Sequence, residues 1–189
     1  MAAVIIERTG VACAASGKSG GFLALDWCDG SPLAPLARTL GADVPCCLYS
    51  QAAIMTGIGE RLHPLPAITP IPALLVNPRV PLSTAGVFRA LTAAPLAGQP
   101  SPPVLPRFSS LNDVVDYTRA SRNDLEPPAR QLLPVTGYVL AALEAAPGSL
   151  LARLSGSGPT CFALFASEAE AQAAATRILR EHSDWWVQS

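Results

Sequence analysis

Apolar residues recur at helical spacing in two parts of this chain. Leu132, Val135, Val139 and Leu143 form one stripe, and Ala171, Ala174, Ala175, Ile178 and Leu179 form the other. Each stripe follows a start signal. Ser167 with Glu170 makes a capping box, and Asn123 with Glu126 makes another, backed by Pro127 and Pro128 in the first turn. Pro134 falls inside the earlier stripe and predicts a kink or interruption there. Short apolar runs between turn residues predict strands at 2–6, at 73–76 (closed by Asn77-Pro78), at 150–154, at 160–165 and, as an edge, at 185–187. Residues 52–65 read as a β-ribbon bent at Gly57 and Gly59. Two shorter helices complete the pattern. One is Leu33–Leu40 after Pro32, and the other starts at Thr84 with Ser83 or Thr84 as its cap. Gly41 to Pro45 reads as a break in which Pro45 stops any helix, and residues 92–111 read as an irregular connection. The element order predicts an α+β sandwich.

Composition narrows the function classes. Half the chain is hydrophobic and 14% is charged, against a usual charged share of about 25%, so there is material for a core and disorder is not expected. Net charge is −1 and the basic residues are scattered, which leaves no stripe for nucleic acid. The 19 prolines predict many short, sharply ended elements. Five cysteines, Cys13, Cys28, Cys46, Cys47 and Cys161, show no Cys-x-x-Cys spacing, which points to buried thiols in a reducing cytosol rather than a metal site or disulfide framework. The first residues lack a positive leader, and prolines break the uncharged stretch from Leu62 to Pro78. A cytoplasmic protein without a membrane span is the expectation; the oligomeric state stays open.

Three segments carry candidate chemistry. Gly17-Lys18-Ser19 has the end of a phosphate-binding loop, but Ala12 stands where that motif needs its first glycine. Asp43 lies between Gly41 and Pro45, where it is either a turn cap or a carboxylate aimed at a substrate hydroxyl. Ser155-Gly156-Ser157-Gly158 is either a tight hairpin turn or a loop whose amides face an anion.

Taken in order, Gly41-Ala42-Asp43-Val44-Pro45, Thr56-Gly57-Ile58-Gly59-Glu60 with Leu62-His63-Pro64-Leu65, Asn123-Asp124-Leu125-Glu126, and Leu154 to Phe165 resemble the C-terminal half of the diphosphocytidyl-methylerythritol kinases, a branch of the GHMP kinases. The resemblance spans residues 39–189. It implies a truncated N-terminal domain of ribosomal-protein-S5-like shape over 39–70 and a ferredoxin-like α/β sandwich over 71–189. It also implies transfer of the ATP γ-phosphoryl group, with Mg2+, to the 2-hydroxyl of the cytidylylated methylerythritol, in non-mevalonate isoprenoid biosynthesis. ATP and that substrate would be the ligands, and no permanently bound cofactor or metal is implied. Asp43 matches the family's catalytic aspartate, Thr84 and Phe88 match substrate-contacting positions, and Ser155, Gly156, Ser157 and Gly158 match the glycine loop beside the nucleotide phosphates.

Upstream of Asp43 the chain departs from that family. The lysine-bearing strand and the glycine-rich phosphate loop do not appear, and Lys18, the sole lysine, sits in different surroundings. Residues 1–38 instead resemble a fragment of FAD-dependent oxidoreductases of the D-amino-acid-oxidase type, with Glu7 matching the residue that binds the FAD ribose. The Gly-x-Gly-x-x-Gly turn that holds a dinucleotide pyrophosphate is absent before it. Three readings follow: a kinase by ancestry that is inactive as this chain alone, a non-catalytic binding module, and an oxidoreductase fragment. The ribbon at 52–65 is expected to lack sheet partners, with marginal stability as the consequence.

Overall fold

The computed structural model describes residues 33–41, 44–49, 52–56, 61–91 and 106–189. Glu7, Lys18, Asp43, the 2–6 strand and the bend at Gly57 and Gly59 lie outside them. Of the described residues, 33–70 and 106–109 fall in one compact unit, and 71–91 and 110–189 in another.

The first unit holds helices α1 (Leu33–Leu40) and α2 (Val44–Tyr49) and strands β1 (Ala53–Thr56) and β2 (Arg61–Pro64). Helix α1 falls where Pro32 predicts it. Helix α2 departs from the expectation that Pro45 stops any helix. Pro45 instead occupies the second helical position, where its missing N–H would have had no intrahelical partner. The ribbon is an antiparallel pair in which Ala53 faces Pro64 and Thr56 faces Arg61, and among the described residues it is a two-stranded sheet. The hydroxyl of Thr56, 8% exposed, lies 2.9 Å from Nε2 of His63 on the partner strand.

The second unit runs β3 (Ala73–Asn77), α3 (Thr84–Ala90), α4 (Leu111–Ala120), α5 (Glu126–Leu132), α6 (Val135–Glu144), β4 (Ser149–Leu154), β5 (Cys161–Phe165), α7 (Glu168–Glu181) and β6 (Trp186–Gln188). Its four strands form one antiparallel sheet in the order β4-β5-β3-β6. Strands β3 and β4 both run against β5, so they are parallel to each other and need the long helical crossover between them. This is the ferredoxin-like arrangement, with β6 at an edge as expected.

Burial along β3 alternates, with Leu74 and Val76 fully buried, whereas β5, which has a strand on each side, is buried at all five positions. Val139 and Leu143 of α6 and Ala171, Ala174, Ala175 and Ile178 of α7 join Leu74, Leu154 and Phe165 in one apolar cluster. Two residues of the predicted stripes do not: Leu132 is 49% exposed and Leu179 is 42% exposed, each at the rim of its helix. Pro134 does interrupt its helix, because α5 ends at Leu132 and α6 restarts at Val135.

Capping explains two boundaries and corrects a third. The Ser167 hydroxyl accepts from the Glu170 amide and the Glu170 carboxylate accepts from the Ser167 amide, which is the predicted box. Helix α4 starts inside the segment read as irregular. Ser110 and Asp113 form its capping box, and Val114, Val115 and Thr118 make its buried face. Near α5, however, Asn123 is not the cap. Leu125 holds that position without a side-chain cap, and Asn123 is used elsewhere.

Candidate functional site

Residues 155–160 join β4 to β5. The turn is closed by two backbone hydrogen bonds, from Ser155 N to Thr160 O and from Gly158 N to Ser155 O, both 2.9 Å. Gly156 and Gly158 have φ of 56° and 78°, in the left-handed region that glycine enters without strain. At Gly158 space adds to the demand, since a Cβ there would lie 2.8 Å from Cδ1 of buried Leu154.

Side chains from three segments hold this loop. Nδ2 of Asn123 donates to the carbonyls of Leu154 (3.1 Å) and Gly156 (2.7 Å). Nδ2 of Asn77, at the end of β3, donates to the hydroxyl of Thr160 (2.8 Å). The Ser157 hydroxyl meets that of Thr84 at 3.0 Å. Sequence reading did not single out either asparagine as a site residue. Asn77-Pro78 read as a strand end, and Asn123 read as a helix cap three residues before Glu126. Local spacing cannot separate a cap from a clamp on a loop about 30 residues away.

Thr84 opens α3, whose N-cap Ser83 accepts from the Gly86 amide. Phe88 follows one turn later on the same face, and 52% of it is exposed although it is a large apolar side chain. Of the expected site residues, Thr84, Ser155, Gly156, Ser157 and Gly158 are therefore gathered around one loop, with Phe88 on the helix beside it. Asp43 and Glu7 lie outside the described residues.

Just past the loop, Cys161 is fully buried. Burial pushes its thiol up to about 12, the Glu126 carboxylate adds to the rise, and the Arg130 guanidinium opposes it. A thiol so protonated is packing material rather than a nucleophile or metal ligand. Among the described residues no group of three His, Cys, Asp or Glu side chains is placed to hold a metal, and no helix is long and apolar enough to cross a membrane. The loop offers backbone amides and hydroxyls, the helix an aromatic face. That combination suits a ligand with both a phosphate and a flat base.

Residues 107–184 match the family described as GHMP kinases C terminal. The chain is 50% identical over 148 residues to the 4-diphosphocytidyl-2-C-methyl-D-erythritol kinase of Dinoroseobacter shibae, an alignment covering 78% of this chain and 51% of that protein. It is 51% identical over 159 residues to the kinase of the same name from Paracoccus denitrificans, covering 84% and 56%. A crystal structure of 4-(cytidine 5'-diphospho)-2C-methyl-D-erythritol kinase matches with a TM-score of 0.62 at 34% identity, covering 84% of this chain and 56% of the other. The chain thus spans about half the length of the curated relatives it matches. High sequence identity, a matching domain model and a shared fold converge on one conclusion: residues 107–184 form a C-terminal domain of the GHMP-kinase type, within a chain similar along most of its length to part of those kinases.

Proposed function

We propose that this chain supplies part of the active site for ATP-dependent phosphorylation of the 2-hydroxyl of 4-diphosphocytidyl-2-C-methyl-D-erythritol, a step of non-mevalonate isoprenoid biosynthesis carried out in the cytoplasm. The observation that supports it best is the 3.0 Å contact between Thr84 and Ser157, which sets the exposed Thr84/Phe88 face of α3 beside the glycine loop. On this reading Phe88 offers its ring to the cytosine and Thr84 a hydroxyl to the polar part of the same ligand. The loop faces the nucleotide phosphates.

In the reaction the substrate oxygen attacks the γ-phosphorus, the bond to the β-phosphate oxygen breaks, and ADP leaves. The hydroxyl proton passes to the carboxylate of Asp43. Catalysis of this kind is positioning and electrostatics more than covalent chemistry. Mg2+ would arrive on the triphosphate as part of the co-substrate.

The lysine strand and phosphate loop that the resemblance calls for are not found among residues 1–38, so the 189-residue polypeptide tested alone should release no ADP from ATP in the presence of the cytidylyl substrate. It should still bind the cytidylyl ligand, and Phe88→Ala should weaken that binding. Replacing residues 1–38 by the corresponding segment of the Paracoccus denitrificans relative should restore turnover, and Asp43→Asn should abolish it again. Cytidylyl binding that ignores Phe88→Ala would sink the reading. A chimera that binds both ligands without turnover would favour the second reading, a non-catalytic binding module. A colourless preparation would dispose of the oxidoreductase reading for Glu7 and its neighbours.

A further inference from the structure

We propose that Asn77 and Asn123 are positioning residues that hold the 155–160 loop in the one shape that turns the Ser157 amide outward to an anion. The two side chains are used in the same way. Oδ1 of Asn77 accepts from the Arg79 amide at 2.7 Å, and Oδ1 of Asn123 accepts from the Leu125 amide at 3.0 Å. Each is an Asx turn two residues long. The oxygen end of each carboxamide is thereby committed to a backbone N–H, which leaves the NH2 end pointed at the loop. Asn77 binds the β5 side through Thr160, and Asn123 binds the β4 side through Leu154 and Gly156. Asn123 uses both of its donors there, its full capacity.

The consequence comes from peptide geometry. A trans peptide unit points its C=O and its N–H in opposite directions. The Gly156 carbonyl and the Ser157 amide belong to one such unit, so pulling that carbonyl to 2.7 Å from Asn123 turns the Ser157 N–H the other way. That N–H has no acceptor among the described residues, while the Ser157 hydroxyl is held by Thr84. An outward, unclaimed amide beside a second glycine is what an anion oxygen requires. Charge matters as well. A carboxylate at 123 would keep the Asx turn yet repel the two carbonyls; one at 77 would keep its turn and take the Thr160 hydroxyl as a donor, and either would add negative charge near the anion.

The anion half of this inference rests on the kinase reading; the loop-shape half does not. The test uses the purified 189-residue chain and its Asn123→Asp, Asn123→Ala and Asn77→Asp variants. Amide exchange is followed across 155–160, with Ala163 and Phe165 of β5 as internal references. Asn123→Asp should speed exchange in the loop by at least about tenfold while the β5 amides and Leu125 stay protected; Asn123→Ala should also release Leu125. Titration with ADP and magnesium should shift the wild-type Ser157 amide resonance, and both aspartate variants should lose that shift. Unchanged loop exchange in Asn123→Asp would overturn the clamp even if cytidylyl binding proves the kinase reading right. A wild-type Ser157 amide indifferent to ADP would overturn its anion role. Faster loop exchange without cytidylyl binding would support the clamp and remove the kinase reading.

Discussion

Thr84 and Ser157 are 73 residues apart in sequence, and their hydroxyl oxygens lie 3.0 Å apart at the start of α3 and the tip of the glycine loop. The pair is exposed, so its net contribution to folding is about 1 kcal/mol or less. Its interest lies in what it connects. If α3 takes the cytidylyl ligand and the loop takes phosphate, the contact links the two sites, and linkage between binding sites is reciprocal.

A double-mutant cycle tests this link. Thr84→Val and Ser157→Ala should each leave thermal stability nearly unchanged and weaken cytidylyl binding. Their combined effect should fall short of the sum by about 0.5–1.5 kcal/mol. Strict additivity in calorimetric titrations would show that the hydroxyls do not communicate.

Gly158 has two reasons to be glycine. Alanine there must adopt φ near 78° and place its Cβ 2.8 Å from Leu154 Cδ1, a side chain with no exposed surface to retreat toward. Gly158→Ala should destabilise the second unit by about 2–4 kcal/mol, from left-handed strain and overpacking together. Gly158→Ala with Leu154→Val should recover part of that loss. Urea titration followed by far-ultraviolet dichroism gives both values, and a Gly158→Ala chain as stable as wild type would refute the argument.

The Ser167 box should be separable from packing. Ser167→Ala removes the acceptor for the Glu170 amide at 3.3 Å and one donor to the Glu170 carboxylate, without touching the buried face of α7. A loss of about 1 kcal/mol is expected, with an unchanged denaturant slope. A larger loss with an altered slope would mean that the helix end carries tertiary structure as well.

Cys161 makes stability pH-dependent at the alkaline end. Its thiol is raised from an ordinary 9.0 to about 12 by burial, with Glu126 adding to the effect. Below pH 9.0 the contribution is complete. Between the two values the unfolded chain releases the proton and the native chain keeps it, so stability falls as pH rises, by up to about 1.4 kcal/mol per pH unit. Wild type should therefore lose stability more steeply than Cys161→Ala above pH 9.0, and parallel curves would contradict the assignment. The native thiol should also resist alkylation at neutral pH.

Much of the second unit was legible because its signals are local. The apolar runs from Ala73 to Val76 and from Thr160 to Phe165, the Ser167–Glu170 box and the break at Pro134 each act within a few residues, and the strands, the box and the break fall there. Helix α4 was equally local, with its own Ser110–Asp113 box, but the proline-rich stretch before it masked the signal. Pro45 misled for a related reason: proline forbids a helix interior and favours a helix start, and the sequence does not say which position it fills.

By itself the sequence determined the strands of the second unit, helices α3 and α7, most of the apolar faces that build the sheet-and-helix core, and the glycines that a tight β4–β5 turn demands, since periodicity and backbone sterics operate between near neighbours. Only the tertiary structure decided that Asn77, Thr84 and Asn123 converge on residues 154–160. A carboxamide can cap the helix three residues away or reach across to a different strand, and the hydrogen bonds are chemically the same. The sheet order β4-β5-β3-β6 settles the choice by bringing the ends of β3 and β4 to one side of the molecule.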